Sequence, residues 1–213
     1  MIRHADINDL ASIAKVHSIC FPDSLLSQFF DAKSLTGGLI GSFYKTYLED
    51  APEIFFVATD MNNDVIGFCM GYYMDNSTQM KRFIKNNRLK IILKSMKLIL
   101  KGNTIFWQKI KERIKHKPSI KDWSIVNHTY ENIGNDKIGD LLSVCLIPKF
   151  RGLGYAQQLM DRFLDSLSIN GKKLCLLSVA TDNKQAIKYY EKNNFELYRI
   201  RGNDGLTYMK LLK

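Results

Sequence analysis

Leu146-Ile147-Pro148-Lys149-Phe150-Arg151-Gly152-Leu153-Gly154-Tyr155-Ala156 joins a strand-like run to a helical one. Upstream, the apolar residues Leu141, Leu142, Val144 and Leu146 run up to Pro148. Downstream, residues 157–167 repeat at helical spacing. Between them lies a short basic turn with two glycines. Glycine lets a backbone approach a ligand closely, and the unpaired amides of a helix N-terminus point at negative oxygens. Arg151 adds a charged, two-pronged donor beside them. The stretch reads as a place to hold a diphosphate.

Toward the C-terminus the pattern is regular. A strand over 138–147 leads into the turn, and a helix over 154–169 stops at Asn170-Gly171. A strand over 173–179 follows. A helix over 184–193 is opened by Asp182 or Asn183 and ended by Asn193-Asn194. Two closing strands, 195–200 and 206–212, flank Gly202-Asn203-Asp204-Gly205. Toward the N-terminus, residues 1–5 read as a strand. Ile7, Leu10, Ile13, Ala14 and Val16 mark a helix capped by Asp6 or Asn8, which Phe21-Pro22-Asp23-Ser24 breaks. An amphipathic stretch over 39–48 precedes a hairpin of strands 54–59 and 65–73, turning at Asn62-Asn63-Asp64.

Residues 75–137 interrupt this alternation and read as an insertion. Leu89, Ile92, Leu93, Met96, Ile99 and Leu100 form one helical seam, with Lys90, Lys94, Lys97 and Lys101 on other faces, and Gly102-Asn103 ends it. A second helix is expected over 105–115, closed by Pro118. Fourteen lysines and arginines lie between Lys81 and Lys121 against Glu112 alone, so this segment carries +13 of a net +10 and the remainder sums to −3. Three readings follow: a solvated lysine face whose apolar seam docks on the domain, a peripheral contact with an anionic membrane, or nucleic-acid binding. The last ranks lowest because aromatics are scarce among the lysines.

With 213 residues and 46% hydrophobic content, the chain can bury one substantial core. No signal-peptide h-region is visible, and no apolar run approaches the roughly 18 residues of a spanning helix. Cys20, Cys69, Cys145 and Cys175 form no CxxC pair and read as buried thiols of a reducing compartment, so a cytoplasmic location is expected. His4, His17, His116 and His128 show no ligand spacing, and no metal is expected.

A second signature starts 29 residues beyond the turn's last glycine, where the last expected helix falls: Asn183-Lys184-Gln185-Ala186-Ile187-Lys188-Tyr189-Tyr190-Glu191-Lys192-Asn193-Asn194-Phe195. Together the two motifs resemble the GCN5-related N-acetyltransferase (GNAT) superfamily. Its cradle, R/Q-x-x-G-x-G/A, is matched by Arg151, Gly154 and Ala156. Its later helix, N-x-x-A-x-x-x-Y-E-K-x-G-F, is matched except that Asn194 replaces glycine, a mild change because Asn tolerates the left-handed C-cap. The resemblance implies one α/β (α+β) domain over 1–213 with the basic helical insertion at about 75–137. Its sheet would be mixed, mostly antiparallel and curved, flanked by helices, with a parallel pair at a splay.

The same resemblance implies acetyl-CoA as co-substrate. Backbone groups of Cys145, Leu146 and Ile147 would face the pantetheine and thioester, with the Leu146 amide as donor to the thioester oxygen. Arg151, Gly152, Leu153, Gly154, Tyr155 and Ala156 would cradle the pyrophosphate, and Asn183 would contact the pantetheine. Tyr190 takes the place of the family's general acid, with packing as the plainer alternative. Asp140 is the candidate base. It lies six residues before Leu146, on the same face if the strand alternates, and acts through a water because its side chain is short. A solvated strand-end carboxylate is the alternative for Asp140, and His128 and Glu131 are weaker candidates. Cys145 has no histidine at a recognisable spacing and reads as a structural thiol. The implied activity is transfer of an acetyl group to a primary amine in a ternary complex. The basic insertion suggests an amino sugar or nucleotide-sugar acceptor. A protein N-terminus, a lysine or a small amine is the alternative acceptor, and a non-catalytic domain binding CoA, a membrane or a partner is the alternative function.

Overall fold

The structure is a computed structural model describing residues 1–24, 26–27, 37–73, 76–100, 123–128, 132–201 and 205–212. Its strands are β1 (Ile2–His4), β2 (Phe55–Thr59), β3 (Val65–Tyr73), β4 (Trp123–Ile125), β5 (Ile138–Leu146), β6 (Leu174–Ala180), β7 (Glu196–Arg201) and β8 (Gly205–Leu211). They form one sheet in the order β1-β2-β3-β5-β6-β8-β7-β4. Every neighbouring pair is antiparallel except β5 with β6. The helices are α1 (Leu10–Cys20), α2 (Gly38–Asp50), α3 (Asn76–Leu100), α4 (Tyr155–Ile169) and α5 (Lys184–Lys192). This is the expected mixed, mostly antiparallel sheet with one parallel pair.

Each face of the sheet has its own core. Leu159, Met160, Phe163 and Leu167 of α4 pack on Phe56, Cys69, Leu141 and Cys175, with Tyr189 and Tyr190 of α5 at the edge. On the other face Ile13 of α1 and Ile40 and Tyr44 of α2 pack on Val57, Phe68, Met70 and Cys145. Strands with apolar residues on both sides can be covered twice, which is why β2 and β3 read as continuous apolar runs rather than alternating ones.

Two irregularities of β5 decide the site. First, its pairing with β6 runs from Ile138↔Leu174 to Leu141↔Leu177 and ends there. Beyond that point β5 stays paired with β3, and β6 with β8. The parallel pair therefore splays open toward Leu146. Second, β3 pairs Met70↔Ser143 and Gly71↔Leu141, so Leu142 is an extra residue, a β-bulge. Gly71 makes room for it: a Cβ there would lie 2.1 Å from the Asp140 carbonyl oxygen and 2.7 Å from the Phe163 ring.

The bulge overturns the expectation that Asp140 shares a face with Leu146. One inserted residue reverses the alternation. Asp140 lies opposite Tyr72, on the α1/α2 side, whereas Leu146 packs in the α4 core.

The insertion also differs from expectation. α3 begins at Asn76, thirteen residues before Leu89, the first residue of the expected seam. Its N-terminal half carries a buried stripe in which Gln79, Phe83 and Asn87 recur at i+4, and Gln79 and Phe83 of it meet α2. Two of the three are polar, so hydrophobic periodicity did not reveal the stripe. Gln79 and Arg82 both donate to the Asp50 carboxylate, Arg82 Nη2 at 2.7 Å, and Phe83 meets Phe43 edge-on at 5.6 Å between centroids. The seam is exposed at Leu89, Ile92, Leu93, Met96 and Leu100, which goes against the reading in which it docks on the domain. The helix expected over 105–115 lies outside the described residues. β4, three residues paired with β7, was not expected, being too short for alternation to show.

Candidate functional site

Backbone polarity along the splay follows from register. The Ile147 amide donates to the Ile66 carbonyl at 2.9 Å, so Ile147 faces β3. Antiparallel alternation turns the amides of Cys145 and Ser143 the same way, and those of Val144 and Leu146 into the gap left by β6. This corrects the sequence expectation in part. Leu146 presents its N–H to the gap, while Cys145 and Ile147 spend their amides on β3. Val144, two residues from Leu146 on the same edge, was overlooked, and the period of two could have found it. Arg151 Nε donates to the Leu146 carbonyl oxygen at 3.2 Å, tying the cradle back to the strand end.

The turn after β5 is a single 3-10 turn, Pro148–Phe150, in which Phe150 N–H reaches Ile147 O at 3.0 Å and Arg151 N–H reaches Pro148 O at 3.1 Å. Gly152 and Gly154 then adopt φ of 81° and 83°, a left-handed conformation that side chains disfavour. A Cβ at Gly152 would meet nothing within 4 Å, so the turn is open on its outer side. α4's first bond runs from Gln158 N–H to Gly154 O at 3.1 Å. The amides of Tyr155, Ala156 and Gln157 thus precede the helical ladder and point out of its N-terminus.

α5 fixes this helix end. Tyr189 Oη donates to the Ala156 carbonyl oxygen at 2.8 Å, and Gln157 Nε2 donates to Asn193 Oδ1 at 2.7 Å. Gln157, Tyr189 and Asn193 were given no role from the sequence, because Gln157 lies one residue past the first motif and Tyr189 and Asn193 occupy variable positions of the second. Asn183 caps α5, its Oδ1 accepting from Ala186 N–H at 3.1 Å, which leaves its amide nitrogen to meet a ligand. Asn194 has φ of 59°, the left-handed C-cap for which glycine is usual.

The titratable side chains fall on opposite faces. The Tyr190 ring lies 5.7 Å from Tyr189 and 5.9 Å from Phe195, on the α4 side. Burial raises its pKa well above that of an ordinary phenol, so it holds its proton at neutral pH. Asp140 is on the α1/α2 side, where burial pushes its carboxyl up to about 7 and Arg199 pulls in the other direction. His17 is buried on that side too, with Nδ1 2.6 Å from Tyr44 Oη and Nε2 2.9 Å from Ser24 Oγ. Burial lowers its pKa to about 4. His128 is exposed, and Glu131 lies outside the described residues. The Cys145 thiol is pushed up by burial, as befits a structural thiol, and all four cysteines are free. Among the described residues no cluster of three metal-ligating side chains occurs, and no helix is long and apolar enough to cross a membrane. A concavity of ≈ 730 Å³ opens elsewhere, between α4 and the β7–β8 pair, lined by Asp161, Asp165, Asn194 and Lys210, and does not touch the cradle.

An FR47-like protein family matches residues 125–202, which hold β5, the cradle, α4, β6 and α5. No curated protein matches the chain in sequence. Solved structures with the same architecture include PH1933 from Pyrococcus horikoshii OT3, with 15% identity, TM-score 0.60 and coverage of 100% of this chain and 98% of that one. An N-acetyltransferase from Staphylococcus aureus Mu50 is 15% identical, with TM-score 0.56 and coverage of 100% and 98%. The NatC complex bound to Gag peptide and CoA is also similar, with 15% identity, TM-score 0.55 and the same coverage. The chain has the GCN5-related N-acetyltransferase fold. Within that fold its C-terminal half carries the FR47-like sequence pattern, including both motifs.

Proposed function

We propose that this chain is an N-acetyltransferase that moves an acetyl group from acetyl-CoA to a primary amine by direct attack in a ternary complex. The observation that carries the reading is the splay. β5 loses β6 after Leu141, turns the amides of Val144 and Leu146 into the gap, and runs straight into a left-handed glycine turn with open helix amides. A diphosphate attached to an amide-bearing arm fits that sequence of donors: the arm pairs with the strand edge, and the diphosphate meets residues 151–156. A similar solved complex, NatC, is bound to CoA.

When bound, acetyl-CoA supplies an activated acyl group on a thiol leaving group. The chain supplies position and protons. The Leu146 amide donates to the thioester oxygen as negative charge builds there, an effect that in such sites is worth about 3–4 kcal/mol per donor. The attacking amine must lose a proton, and the departing thiolate must gain one. Asp140, with its pKa near 7, takes the amine's proton through a relay of waters on the α1/α2 side, since it lies six residues up the strand from Leu146. Tyr190, kept protonated by burial, gives one to sulfur from the α4 side. Acid and base lie on opposite faces of the sheet, so acceptor and leaving group occupy different spaces. Asn183 donates its amide nitrogen to the pantetheine arm.

The acceptor is an amino sugar or nucleotide-sugar, since the insertion supplies positive charge and an anionic amine is the complementary ligand. The protein works in the cytoplasm or at the inner face of a membrane. An acceptor screen that follows CoA release, run with amino sugars, nucleotide-sugars, polyamines and peptides, tests the reading. Turnover confined to sugars supports it; turnover confined to peptides assigns a protein acceptor instead. Acetyl-CoA binding with no turnover across the panel leaves a CoA-binding domain.

A further inference from the structure

We infer that the distal half of α3 is a docking surface for an anionic lipid bilayer, on which the helix lies in the interfacial plane. Leu89, Ile92, Leu93, Met96 and Leu100 are 76%, 43%, 66%, 52% and 85% exposed. At 100° per residue they share one side of the helix, roughly opposite the buried Gln79–Phe83–Asn87 stripe. Lys90, Lys94 and Lys97 lie together on the other side. Five large apolar side chains on one exposed helical face exceed what scattered surface hydrophobes explain.

Charge selects the occupant. Between Asn76 and Leu100 there are seven lysines and arginines and no acidic residue. A second copy of α3 laid on the first would bring two unopposed positive helices together, so self-association through this face is disfavoured. A nucleic acid would be met by cations on the outward face, and here that face is leucine, isoleucine and methionine. An anionic membrane satisfies both halves. The apolar side enters the boundary between headgroups and acyl chains, and the lysine stems reach back to the phosphates. The helix attaches without crossing, as its charge requires. With its N-terminal half clamped to α2 through Asp50 and Phe43, α3 would hold the catalytic body against the surface. Amine acceptors carried on lipids would then be within the enzyme's reach. The surface assignment stands apart from the acyl-transfer reading and can be tested without turnover.

The test is co-sedimentation of the full chain with vesicles of phosphatidylcholine, with and without phosphatidylglycerol, at low and high salt. Three proteins are compared: wild type, a Leu89→Ser/Leu93→Ser/Met96→Ser variant, and a Lys90→Gln/Lys94→Gln/Lys97→Gln variant. Wild type is expected to pellet with the phosphatidylglycerol vesicles, to be released in part by salt, and to remain in solution with phosphatidylcholine alone. Each triple variant should lose about tenfold or more in partitioning while binding acetyl-CoA as wild type does. Wild type remaining in solution with anionic vesicles at low salt overturns the proposal. So does a serine variant that pellets as wild type does, or equal pelleting with both lipids. Concentration-dependent dimerisation abolished by the serine variant, without vesicle binding, would assign the face to a second copy instead.

Discussion

At the scale of single residues, two adjacent tyrosines on α5 have been given different work. Tyr189 holds the end of α4 through the Ala156 carbonyl, and Tyr190 lies against Phe195 with its hydroxyl kept protonated by burial. Tyr190→Phe is therefore expected to lower kcat by about 100-fold or more while leaving acetyl-CoA affinity unchanged, because the ring keeps its packing and only the proton is lost. Steady-state kinetics beside a binding titration separates the two; full kcat in the variant would remove Tyr190 from the chemistry. The motif spacing from Ala186 already picks Tyr190 over Tyr189. It does not show what Tyr189 does, since that depends on a carbonyl 33 positions away. Asp140 teaches the opposite lesson. Its identity as the strand's acidic residue was legible, but its face was not.

Among elements, β5 carries the site, and the bulge at Leu142 sets which way its residues point. No residue type marks that bulge. It arises because Gly71 on the neighbouring strand lets the backbone close in, a tertiary cause that alternation within 138–147 cannot display. Gly71→Ala should therefore destabilise the protein by about 1–3 kcal/mol or more, since the new methyl meets a backbone carbonyl rather than a flexible side chain. A denaturant midpoint equal to that of wild type would contradict the packing described here. The cradle, by contrast, was readable throughout. Its strand, its glycines at positive φ and its helix start are local features, and local rules govern them. α3 divides along the same line. Its distal seam was visible by periodicity, whereas the half that packs on α2 through Gln79 and Phe83 was not, because the buried amides of Gln79 and Asn87 do not register as apolar.

For the molecule as a whole, Asp140 and His17 make stability depend on pH in opposite senses. Asp140 is raised to about 7 in the fold, so its contribution is fully present below the unfolded carboxylate pKa and is lost as pH rises through 7. His17 is lowered to about 4, so its contribution is present above the unfolded imidazole pKa and is lost as pH falls through 4. Between roughly pH 4 and 6.5 the two oppose each other. Asp140→Asn should uncover the His17 term: relative to wild type its Tm gains at pH 8 and declines more steeply on acidification below 6.5. His17→Gln should show the reverse slope. Parallel Tm–pH curves for all three proteins would contradict these environments. The central claim is that the β5 splay and the glycine turn form one acetyl-CoA site, and residue-resolved amide hydrogen exchange with and without acetyl-CoA tests it most directly. New protection is expected at Val144, Leu146 and the amides of residues 152–157, with Ile147, already bonded to Ile66, little changed. Protection confined to the concavity between α4 and the β7–β8 pair, or no protection at all, would contradict it.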